Sequence, residues 1–131
     1  MGEFNLPHIL VVDDDPIQLE FYTAVLESDY DVIAAASLNE AIEILNTNTL
    51  VEALICDLHL GAGSNGKDLL AWISEHRPGL ISRSMIISGN PTVDTGEHSV
   101  SVVMKPVALD DLLGRVSLLL KPPAKQTIKA R

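Results

Sequence analysis

A single cysteine, Cys56, occurs in the 131 residues, so no disulfide framework can form within the chain. Such cysteine usage suits a reducing compartment, and the apolar run around Cys56 predicts a packed, inert thiol. Basic residues are also scarce. Nine Lys and Arg stand against 18 Asp and Glu, a formal net charge of −9. Binding nucleic acid through general electrostatics needs a basic face and is excluded. No apolar run is long enough to cross a bilayer. The N-terminus lacks the basic start and apolar stretch of a secretion signal. The expectation is a cytoplasmic protein without membrane insertion. There is no His/Cys cluster for zinc and no P-loop for a nucleoside triphosphate. Internal repeats and low-complexity stretches are lacking as well.

What remains is an ordinary globular mixture, 47% hydrophobic and 21% charged, of a length that suits one domain with one core. Ile9 to Val12 form a short β-branched run that predicts a buried strand. Asp15 before Pro16 opens a helix with Ile17, Leu19, Phe21, Val25 and Leu26 among its apolar residues. Asp31 to Ala36 predicts a second strand. Ser37 and Glu40 form a capping box for a helix that buries Ala41, Ile42, Ile44 and Leu45. Val51 to Cys56 is a third strand, followed by a glycine-rich loop through Gly61, Gly63 and Gly66. A helix through Leu69, Leu70, Trp72 and Ile73 then stops at Pro78-Gly79. Met85 to Ile87 and Val100 to Met104 are the last two strands. Leu109 to Leu120 closes the chain as a helix with Leu112, Leu113, Val116, Leu119 and Leu120 inward. This alternation calls for a doubly wound, five-stranded parallel sheet with helices on both faces. Between Ser88 and Lys105, residues 90–99 carry loop signals, so the helix expected there is reduced or missing.

The ends of these strands carry the chemistry. The first ends at Asp13-Asp14-Asp15, the third at Asp57, the fourth at Ser88 and the fifth at Lys105. In a parallel sheet these ends share one edge, where ligands of open α/β sheets bind. Helix capping accounts for one of the three clustered aspartates and leaves two. Clustered carboxylates repel unless a cation sits between them, and hard oxygens suit Mg²⁺ or Mn²⁺. Three carboxylates, a hydroxyl and an ammonium suit metal-assisted phosphoryl chemistry.

With these residues in place, the chain resembles the receiver domain of two-component response regulators. The segments Ile9-Leu10-Val11-Val12-Asp13-Asp14-Asp15, Leu54-Ile55-Cys56-Asp57-Leu58, Ile86-Ile87-Ser88-Gly89 and Val103-Met104-Lys105-Pro106 look like that family's four signature stretches, in its order. The resemblance implies a flavodoxin-like (CheY-like) three-layer sandwich over residues 8–120. Residues 1–7 are then an N-terminal extension of the kind cloning leaves, and residues 121–131 a tail or linker. It implies that Asp57 accepts a phosphoryl group from a phosphohistidine, supplied by a histidine kinase or a histidine phosphotransfer domain. Asp14, Asp57 and the backbone carbonyl of His59 would coordinate Mg²⁺, with Asp13 reached through a water. Ser88 would bond a phosphoryl oxygen, and Lys105 would pair with the Asp57 carboxylate and then with the phosphoryl group. Lys105-Pro106 would be a cis peptide.

Two departures from the family stand out. Val102 occupies the position where many receivers carry a Tyr or Phe that swings inward, and a stiff β-branched side chain has no ring to reorient. Gly61 stands where Pro is common. The His59 side chain is expected in solvent. No output domain fits within the chain, so the expectation is a stand-alone regulator or one domain of a hybrid sensor histidine kinase. Two other readings compete. A haloacid-dehalogenase-like phosphatase would use Asp13 as nucleophile and Asp110-Asp111 as a metal pair, but it leaves Asp57 without a role. A pseudo-receiver with a silent pocket would not need all five site residues.

Overall fold

The computed structural model describes residues 6–61, 63–89 and 100–120. Five strands, β1 (His8–Val12), β2 (Asp31–Ala35), β3 (Val51–Asp57), β4 (Ser84–Ser88) and β5 (Ser101–Met104), pair in parallel in the order β2-β1-β3-β4-β5. Helices α1 (Pro16–Leu26), α2 (Leu38–Thr47), α3 (Gly66–His76) and α4 (Leu109–Leu120) cover both faces. The expected five-stranded, doubly wound sheet is observed. Residues 90–99, on which the reduced or missing helix was expected, lie outside the described residues, as do 1–5 and 121–131.

Alternation along the strands builds two cores, because successive side chains point to opposite faces. Leu10, Val12, Leu54, Cys56 and Ile86 face one side and pack with Ala41 and Leu45 of α2 and Leu69, Leu70 and Ile73 of α3. Ile9, Val11, Ile55, Met85, Ile87 and Val103 face the other, against Tyr22 and Leu26 of α1 and Leu112 and Val116 of α4. Three layers result directly. The central strands are apolar on both faces, as burial under helices on each side requires.

Two helix starts use side chains expected of them. Asp15 caps α1, its Oδ1 accepting from the Ile17 N–H at 2.9 Å, with Pro16 at the first turn. Ser37 Oγ accepts from the Glu40 N–H at 3.1 Å, but the Glu40 carboxylate accepts from Ala36 rather than from Ser37. The box is thus displaced by one residue. A reciprocal box starts α3, where Asn65 accepts from Lys67 and Asp68 while the Asp68 carboxylate accepts from the Asn65 N–H. Past Pro78 the chain does not simply stop. It continues as a 3-10 turn, Pro78–Arg83, that delivers Leu80 to the core.

Candidate functional site

Strand register places the polar residues at one edge. Val12 pairs with Cys56, Cys56 with Ile86 and Ile86 with Val102, so these four define a level across the sheet. One residue further on come Asp13 and Asp57. Two further come Asp14 and Ser88, and three further comes Lys105. The Lys105 N–H donates to the Ser88 carbonyl at 2.9 Å, holding the fifth strand's end beside the fourth's. Order reversal in the sheet falls between β1 and β3, the switch point where such sheets form their crevice. Asp13, Asp14 and Asp57 stand on its two lips.

These three aspartates each offer a carboxylate oxygen within 4.8 Å of the others, the group among the described residues able to share a cation. Asp13 is 1% exposed and Asp57 6% exposed, whereas Asp14 faces solvent. The Asp13 Oδ1 accepts from the Asp15 N–H at 2.9 Å, and its buried Oδ2 has no hydrogen-bond partner. Burial pushes the Asp13 carboxyl above its ordinary value. The Asp15 N–H opposes this and the nearby Asp57 charge adds to it. An all-oxygen donor set with an unsatisfied buried carboxylate oxygen fits a hard divalent cation such as Mg²⁺.

Lys105 supplies positive charge from the other side, with Nζ 3.0 Å from Asp57 Oδ1. Its peptide bond to Pro106 is cis, as the resemblance implied. Ser88 is buried at the crevice edge. His59 is exposed, as expected of its side chain, and forms a bridge with Asn65 that folds the loop after β3 back on itself. Cys56 is fully buried, its thiol donating to the Asp57 carbonyl at 3.2 Å, and burial drives its pKa upward. The packed thiol is therefore observed.

Tyr22 was missed in the sequence. It is 2% exposed, and burial together with the charges of Asp13 and Asp57 raises its pKa. Ile17, the first apolar residue of the same helix, is 72% exposed. A groove of about 380 Å³ opens between α1 and the turn after β5, with Ile17, Phe21 and Tyr22 on one wall and Lys105, Pro106 and Val107 on the other.

Residues 9–117 match the family model described as the response regulator receiver domain. The chain belongs to that family. This receiver domain is also similar to solved structures of the same kind. A receiver domain protein from Clostridium thermocellum is 25% identical with a TM-score of 0.79, covering 94% of this chain and 98% of its own. A CheY-like receiver domain protein from Methanospirillum hungatei is 26% identical with a TM-score of 0.77, covering 87% and 93%. A receiver protein from Pseudomonas putida is 27% identical with a TM-score of 0.74, covering 88% and 99%. No curated protein sequence matches significantly. The family is a signalling one, so the phosphatase reading lapses with the membership. No helix among the described residues is long and apolar enough to cross a membrane.

Proposed function

We propose that this receiver domain, spanning residues 8–120, takes a phosphoryl group onto Asp57 from a phosphohistidine of a histidine kinase or a histidine phosphotransfer domain, in a cytoplasmic phosphorelay. The observation that carries the reading is the pairing of Lys105 Nζ with Asp57 Oδ1 at 3.0 Å, beside two further carboxylates. One carboxylate is thus set between an ammonium and a cluster suited to a divalent cation.

An Asp57 oxygen attacks the phosphorus of the donor. The O–P bond forms, the N–P bond to the imidazole breaks, and the leaving nitrogen keeps that electron pair. Asp13, Asp14, Asp57 and the His59 backbone carbonyl would hold Mg²⁺ or Mn²⁺, which supplies neutralising charge for the transferring group. Lys105 starts paired with the carboxylate and can move with the charge to a phosphoryl oxygen as transfer proceeds. The Ser88 hydroxyl is the group offered to a second phosphoryl oxygen. Hydrolysis by water later returns the carboxylate and inorganic phosphate. The groove beside Lys105 gives a donor domain an apolar wall along which to approach.

Intact mass after treatment with acetyl phosphate and Mg²⁺ tests the reading. One added phosphoryl group is expected in the parent protein and none in Asp57→Asn. An adduct that survives in Asp57→Asn would reject Asp57 as the acceptor.

A further inference from the structure

Of the three carboxylates at the crevice, Asp13 and Asp57 are held by burial, while Asp14 is exposed and needs another constraint. The loop after β3 provides one. It closes through Leu60 N–H to Ser64 O at 3.2 Å, Ser64 N–H to Gly61 O at 2.9 Å and Gly66 N–H to Leu58 O at 2.6 Å. This brings Gly61 against the Asp14 side chain. A β-carbon at Gly61 would sit 2.8 Å from Asp14 Oδ2 and 3.7 Å from its Cγ. With the backbone at φ +76°, the Asp14 carboxylate occupies the space that a β-carbon at position 61 would claim. The clash would be relieved by the easiest available motion, rotation of an exposed carboxylate, and that motion disturbs a cluster whose ligand oxygens lie within 4.8 Å of one another.

We infer that Gly61 is a positioning residue for the Asp14 carboxylate and thereby sets the divalent-cation affinity of the crevice. The inference rests on the proposed reading of Asp13, Asp14 and Asp57 as the metal site. It separates this role from the backbone requirement for glycine, because the same loop contains a control. Gly61 has φ +76° and Gly63 has φ +81°, so a side chain meets similar backbone strain at either position. A β-carbon at Gly63, however, would meet nothing within 4 Å.

The test compares Gly61→Ala with Gly63→Ala in the full chain, using Mg²⁺ and Mn²⁺ as the probes. Affinity is taken from the rise of melting temperature with Mg²⁺ and from competition against Mn²⁺ monitored by its paramagnetic resonance. Both variants should melt slightly below the parent in EDTA. Gly63→Ala should retain the parent's Mg²⁺ affinity, and Gly61→Ala should lose about tenfold, the lower end of what displaced ligand-orienting contacts cost. Gly61→Asn and Gly63→Asn repeat the comparison with a residue that tolerates left-handed backbone, should either alanine variant fold poorly. Equal Mg²⁺ affinity at the two positions, in either pair, would overturn the role of Gly61 while leaving the metal site intact. A parent protein that shows no response to Mg²⁺ would overturn the metal site and this inference together.

Discussion

Asp13 is a buried carboxylate whose burial and whose neighbour Asp57 both disfavour its charge. Its carboxylate is buried, one oxygen is bonded to the Asp15 N–H and the other has no hydrogen-bond partner. Asp13→Asn keeps the first bond and removes the desolvated charge. It should stabilise the metal-free protein at neutral pH, because the amide carries no charge to desolvate or to repel Asp57. A carboxyl with a raised folded pKa favours the fold at low pH and loses that contribution as pH rises through the folded value. The gain from Asp13→Asn should therefore shrink as pH falls toward the ordinary carboxyl value of 3.8, which urea melts in EDTA would track. Asp14→Ala should abolish the Mg²⁺-dependent rise in melting temperature, since a ligand stabilises only through the site that binds it. A rise equal to the parent's would remove Asp14 from the ligand set. At this scale the sequence was readable wherever an apolar run ends on a polar residue, as at Asp13, Asp57, Ser88 and Lys105. It was less readable in α1, whose Ile17, Leu19, Phe21, Tyr22, Val25 and Leu26 are apolar around much of the helix. Periodicity there did not single out Tyr22 as the buried residue or Ile17 as the exposed one.

Among the elements, two ties hold the scaffold beneath the site, and neither was visible as a pattern. Arg77, at the end of α3, donates to the carbonyls of Leu45 at 3.2 Å, Asn48 at 2.8 Å and Val51 at 3.1 Å. It fastens the end of α2 and the start of β3 to the end of α3, at the sheet edge opposite the crevice. Sequence periodicity says nothing of such a contact, because its partners are backbone carbonyls 26–32 residues away. Arg77→Ala should cost about 2 kcal/mol, the scale of charge-assisted bonds to partly buried carbonyls. Phosphoryl uptake on Asp57 should persist below the melting transition. The Asn65–Asp68 box at the start of α3 lay hidden in a glycine-rich stretch that reads as loop. Asn65→Ala should cost about 1 kcal/mol in chemical denaturation. Signal output belongs to this scale as well. Val102 is half-buried against the α2–α3 core and has no ring to swing. Adding beryllofluoride and Mg²⁺ should shift backbone amides of 58–66 and of Ser88 and Gly89 more than those along the outer face of α4. Large shifts along Leu109–Leu120 would show that the switch runs through that helix despite Val102.

Across the whole molecule, topology turns scattered residues into one site. Asp13 and Lys105 lie at opposite ends of the sequence, yet parallel pairing sets them two residues apart in level at the same sheet edge. Strand and helix alternation made this edge legible, because right-handed crossovers leave few ways to arrange five such strands. The 3-10 turn after Pro78 was not legible, since proline and glycine mark the end of a helix without specifying the conformation of the next residues. The proposed function depends on one chemical event, transfer from nitrogen to the Asp57 oxygen. Phosphoimidazole carries the same N–P bond as a phosphohistidine and needs no partner protein. Incubated with it and Mg²⁺, the parent protein should gain one phosphoryl group by intact mass, located by peptide fragmentation on Asp57, and EDTA should suppress the gain. A parent protein that stays unmodified, or a phosphoryl group found on any residue other than Asp57, would contradict the account.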